Sequence, residues 1–113
     1  DYKDKAKRAL NNMRENMLGY PGYYANWAIL ADYFIAAPFE VAITGAGALT
    51  KKQEFDKSFH PNCIFIGSTG ESKLPLLQGK HKAGETIIYV CENKTCQLPV
   101  ETVEEATEQI KLR

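Results

Sequence analysis

Charge of one sign is the first thing missing: fourteen lysines and arginines balance fourteen aspartates and glutamates over 113 residues. Without a basic excess, the bulk attraction that a nucleic-acid or anionic-membrane binder needs is absent, so neither partner is expected. Long apolar runs are missing too. The longest, Tyr23 to Val41, is broken by Asn26, Asp32, Pro38 and Glu40, whereas a membrane span needs roughly 20 apolar residues. It reads instead as a buried helix passing into a strand. Cysteine is sparse and odd in number: Cys63, Cys91 and Cys96. A small secreted scaffold carries a denser, even set. The opening Asp1–Arg8 is charged, with no apolar stretch of a signal peptide behind it. Together these point to reduced thiols in the cytoplasm.

What is present is an ordinary globular composition, 44% hydrophobic and 25% charged, enough for one modest core. Ala6, Ala9, Leu10, Met13, Met17 and Leu18 recur at helical spacing, and Gly19 with Tyr20-Pro21-Gly22 stops that helix. A second helix, about Tyr24 to Ala36, is apolar nearly all round and therefore calls for neighbours on more than one side. Residues 1–37 thus form an αα-hairpin. After Pro38 the pattern changes. Phe39–Thr44 reads as a strand, and Thr50 with Gln53 resembles a capping box for a helix to about Phe59, with Leu49, Phe55 and Phe59 facing inward. Pro61 follows the end of that helix. Cys63–Gly67 is too apolar to alternate and suits a parallel strand covered on both faces. Residues 68–85 form a long loop anchored by Leu74-Pro75-Leu76-Leu77. Thr86–Cys91 is a third strand, followed by a helix capped by Thr102 and Glu105 and facing inward through Val103, Ala106 and Ile110. The fold class is α/β: the hairpin, then a small three-layer βαβ-β-α unit over 38–113 with about three mainly parallel strands and a right-handed first crossover.

Candidate chemistry is thin. Gly45-Ala46-Gly47 lies between a strand and a helix, where backbone N–H groups can hold a phosphate. Glu71, beyond the second strand, stands where a ribose-binding acid could sit. The third glycine of a dinucleotide fingerprint is replaced by Thr50, so plain turn geometry competes with nucleotide or anion binding. Cys91 and Cys96 are separated by four residues, not the two of a thioredoxin-like motif. They are open to three readings: structural thiols, a reversible disulfide, or half a zinc site completed by Cys63, His60 or His81. His60 reads as a helix-end residue and His81 as a solvated one. Tyr20, Tyr23, Tyr24, Trp27, Tyr33 and Phe34 read as core, with a carbohydrate-binding wall as the competing use. No catalytic residue, metal or cofactor is assigned.

Tyr89-Val90-Cys91, Asn93, Cys96 and Pro99, followed by a capped helix, resemble the terminal signature of the spermatogenesis-associated thioredoxin-like proteins and the bacterial YyaL-type proteins. Pro38, Glu40-Val41, Gly45, Phe59, Pro61-Asn62, Leu74-Pro75-Leu76-Leu77 and Gly79-Lys80 match in the same order. That resemblance implies a larger protein with a thioredoxin-like domain and an α/α toroid of the six-hairpin-glycosidase kind. Residues 1–37 would be its last helical hairpin and 38–113 a C-terminal appendage. The expected function is a non-catalytic structural and interaction module whose partner is the rest of its own chain, with self-association when isolated. The competing expectation is a share in a carbohydrate-processing site.

Overall fold

The computed structural model describes residues 1–110 and divides the chain into two compact units, Asp1–Ala37 and Pro38–Arg113. Lys111, Leu112 and Arg113, which the sequence reading includes in the closing segment, lie outside the described residues.

In the first unit, α1 spans Tyr2–Gly19 and α2 spans Ala25–Ile35. The Asp1 side chain accepts from the Lys3 N–H at 2.7 Å and caps α1, satisfying one of the free donors of the first turn. The two helices pack against each other. Ala6, Ala9, Leu10, Met13 and Met17 form a half-buried stripe on α1, and Trp27, Leu30, Ala31 and Phe34 one on α2. Among the described residues of both helices none is buried. Tyr20 and Tyr23, expected in a core, are exposed in the connection. Two helices can cover only one side of each other, and α2 is apolar on both.

In the second unit, β1 (Phe39–Thr44), α3 (Ala48–Phe55), β2 (Cys63–Ser68), β3 (Ile87–Glu92), β4 (Thr95–Cys96) and α4 (Val103–Gln109) build a mixed α/β fold. The sheet order is β2-β1-β3-β4. Only β1 and β2 are parallel; β3 runs antiparallel to β1, and β4 to β3. The expectation of about three mainly parallel strands is thereby corrected. The physical reason lies in the connections. A parallel neighbour needs a crossover, which α3 supplies between β1 and β2, whereas 69–86 contains no helix and returns the chain in the opposite sense.

One face of the sheet carries Phe39, Val41, Ile43, Ile88 and Val90 against Ala48 and Phe55 of α3 and Val103 and Ala106 of α4, with Ile110. That is the core. Thr102 caps α4 as expected: its hydroxyl accepts from the Glu105 N–H, and the Glu105 carboxylate accepts from the Thr102 N–H. The bonds from Thr102 hold the Glu105 carboxyl below the usual carboxylate range. Because the folded value lies below the unfolded one, this support is present above the ordinary carboxylate pKa and is lost as pH falls through the lowered one.

Three local expectations are corrected. α3 starts on Gly47 with no side-chain cap, so Thr50 and Gln53 lie inside it. It ends at Phe55, where Lys57 and Ser58 bond back three residues to Glu54 and Phe55. This tighter turn leaves Phe59 88% exposed, and Leu49 is 67% exposed on the outer face. β2 is an edge strand, not one covered on both faces: Ile64 is half exposed, and β2 pairs with β1 alone among the described strands.

Candidate functional site

The face of the sheet away from the helices carries Glu40, Ala42 and Thr44 of β1 beside Cys91, Tyr89 and Ile87 of β3, because these residues pair in register and side chains alternate along a strand. The loop 69–86 returns over this face. The Lys80 carbonyl accepts from the Thr44 hydroxyl at 3.2 Å and the Tyr89 hydroxyl at 3.0 Å. Those two bonds fix the lysine backbone. Its side chain then runs over the Tyr89 ring, with Nζ 5.2 Å from the centroid, a cation–π distance.

Nζ ends 3.5 Å from Cys91 Sγ and 3.4 Å from Cys96 Sγ. The two cysteines are joined in a disulfide, where free thiols were expected. The turn explains the pairing. Asn93 and Lys94 have φ of 50° and 68°, the two positive values of a tight hairpin turn. This places Cys91 directly opposite Cys96 in the β3–β4 ladder. Cys91 is buried and Cys96 exposed. Removal from water pushes the Lys80 ammonium below the usual lysine range, and the Glu40 carboxylate partly opposes that. Glu40 Oε2 is itself buried, with no hydrogen-bond partner among the described residues. A half-buried cation, a carboxylate with one buried oxygen and a cystine therefore share one small region.

The other sequence candidates fare differently. Gly45, with φ of +118°, and Gly47 do form the turn into α3, and three of its N–H groups bond within the unit. Gly45 N–H donates to the Ser68 carbonyl, Gly47 N–H to the Thr86 hydroxyl, and Ala48 N–H to the Gly45 carbonyl. The turn is a seat for residues 85 and 86. Glu71 accepts from the Gly79 N–H at 3.2 Å and staples the long loop. His60 stands edge-on to the Phe55 ring at 5.5 Å, an aromatic packing role in place of the expected helix-end one. His81 is half-buried, not solvated, and its Nδ1 lacks a partner among the described residues. Cys63 packs beside the core, where burial pushes its thiol up, away from reactivity. Among the described residues no group of three or more His, Cys, Asp and Glu side chains is placed to hold a metal.

An open cleft of about 500 Å³ lies past the C-terminal ends of β1 and β2, lined by Ile43, Leu49, Lys52, Phe65 and Thr69 among others. Two of its polar groups are already engaged: Lys52 bonds to Asp56 and lies over the Phe65 ring, and the Ser68 hydroxyl donates to the Gly70 carbonyl. Lys80 and Glu40 are the residues that sequence reasoning missed as part of a site. The strand FEVAIT held a faint signal, a carboxylate in the middle of a buried apolar run.

Comparison of the chain with family models, with curated proteins and with solved structures finds no match. Among the described residues no helix is long and apolar enough to cross a membrane.

Proposed function

We propose that the chain is a non-catalytic structural and interaction module of a larger protein similar to the YyaL-type family. In this reading residues 1–37 are one hairpin of a helical toroid, and 38–113 is a three-layer α/β appendage of helices, sheet and covering loop. The observation that carries it is the state of α2. The helix is apolar on opposite sides, yet Ile29 is 55% exposed and Ile35 84% exposed, with Tyr23 at 89% just before it. Apolar side chains on the side of a helix away from its only neighbour in the unit are an incomplete core. Further helices of the same chain are the occupants that complete it. They would continue the antiparallel packing that α1 and α2 begin. The balanced charge supports a protein partner over nucleic acid, and the reading retains a cytoplasmic setting.

The isolated 113-residue chain is expected to self-associate through this side. Light scattering during size exclusion should give a mass above the monomer that rises with concentration. Ile29→Glu combined with Ile35→Glu should return it to monomer, because both positions are exposed and tolerate charge. A clean monomer for the unaltered chain, with no binding of a hydrophobic dye, would overturn the reading.

A further inference from the structure

We propose that the Cys91–Cys96 pair is a thiol–disulfide exchange site, with Lys80 laid across both sulfurs and Cys96 as the point of entry, and that its substrate is a dithiol. This goes beyond a module whose role is to pack on its own chain.

The argument begins with what Lys80 gains. A disulfide is neutral, and an ammonium drawn out of water toward two neutral sulfurs recovers little of its lost hydration. The same ammonium beside a thiolate makes a charge-assisted contact. Nζ is 3.5 Å and 3.4 Å from the two sulfurs, and the Thr44 and Tyr89 hydroxyls hold the lysine backbone that delivers it. The arrangement therefore suits the reduced pair better than the oxidised one. The groups facing the sulfurs from neighbouring elements are Lys80 of the loop, Glu40 of β1 and Tyr89 of β3.

A second argument concerns topology. The bridge joins residues five apart, across a hairpin that its own turn already closes. Such a short loop restrains the unfolded chain less than a bridge between distant segments does. Holding the fold together is thus a minor use for it. The third argument is accessibility. Cys96 is exposed on the two-residue edge strand β4, and Cys91 is buried beneath it.

The exchange follows from this asymmetry. A thiolate of the donor attacks Cys96 Sγ and forms a mixed disulfide. The Cys91–Cys96 bond breaks, and its electron pair leaves on Cys91 Sγ as a thiolate beside the Lys80 ammonium. The donor's second thiol loses its proton and attacks the donor sulfur of the mixed disulfide, releasing Cys96 as a thiolate. Two electrons and two protons pass from donor to pair: the donor becomes a disulfide and the pair a dithiol. A lower pKa of the leaving thiol speeds the first step, which is the contribution of Lys80.

The test uses the oxidised 113-residue chain and reduced dithiothreitol as donor at neutral pH, following the ultraviolet absorbance of the cyclic donor disulfide as it forms. Lys80→Met should slow reduction by about tenfold, because the Cys91 thiol then leaves without a neighbouring cation and with a higher pKa. Lys80→Arg should retain most of the rate, and Lys57→Met, remote from the pair in sequence and exposed, should leave it unchanged. Equal rates for Lys80→Met and the unaltered chain would overturn the proposal. Should Lys80→Met fail to fold by circular dichroism, the unaltered chain decides alone. Ultraviolet titration of its reduced form should show a thiolate with a pKa below the ordinary value of about 8.5. A reduced pair with no thiolate below that value would overturn the proposal equally.

Discussion

Gly45→Ala is expected to destabilise the Pro38–Arg113 unit by at least about 3 kcal/mol, more than a loop glycine normally commands. Two effects add. A φ of +118° is one that a residue with a Cβ rarely adopts, and the added carbon would lie 2.1 Å from the Glu85 carbonyl oxygen and 2.7 Å from Thr86 Cα. Both atoms are backbone and cannot swing aside. The 85–86 segment would have to lift off the turn, taking with it the Thr86 hydroxyl that satisfies the Gly47 N–H and the start of β3. Gly84→Ala supplies the internal comparison. Its φ is also positive, at +77°, but nothing lies within 4 Å of the added carbon. It should cost only about 1 kcal/mol, the backbone penalty alone. Urea unfolding of the two variants separates steric contact from backbone strain, and similar midpoints would contradict the packing described for the turn.

The second large effect is expected at Phe55. It is 1% exposed in the core, with its ring centroid 5.1 Å from Phe65 and 5.5 Å from His60. Truncation to alanine removes the transfer energy of a large ring and leaves a cavity, together about 3–5 kcal/mol. A unit of this length is stable by roughly 4–11 kcal/mol at 0.05–0.15 kcal/mol per residue. Phe55→Ala should therefore remove between about a quarter and all of that stability. Leu49→Ala, on the outer face of the same helix, should change stability by less than about 0.5 kcal/mol. The expected readout is a large fall in the thermal midpoint for the first and almost none for the second. The contrast also separates the inward face found in the structure from the one expected of the sequence.

Much of the second unit is legible in the residues because its signals are local. FEVAIT shows its strand through β-branched and aromatic residues between Pro38 and Gly45, and Thr102 with Glu105 marks a helix start that the structure repeats bond for bond. The stripe Ala6, Ala9, Leu10, Met13 and Met17 shows its period in the same way. What is not legible depends on partners distant in sequence. TIIYVC would look the same in a parallel or an antiparallel strand, so its direction is decided by the loop before it. Thr50 and Gln53 imitate a capping box, but the helix is started by a turn built around Thr86, 39 residues away from Gly47. The site is the extreme case. Glu40, Lys80, Cys91 and Cys96 come from a strand, a loop and a hairpin, and no spacing rule joins them. The cysteine spacing left structural thiols, a disulfide and metal ligation open, and the sparse, odd cysteine count tilted the expectation towards free thiols. Only the β3–β4 register decides for the disulfide.

The central claim is that the helical hairpin is an incomplete core, completed by further helices of the same protein. Hydrogen exchange tests it most directly when the native gene product is compared with the 113-residue chain at a dilution where both are monomeric. The account predicts that amides of α2 exchange far faster than those of β1 and β3 in the 113-residue chain, since none of its side chains is buried, and that they become comparably protected in the native product. Equal protection of α2 in the two proteins would contradict it.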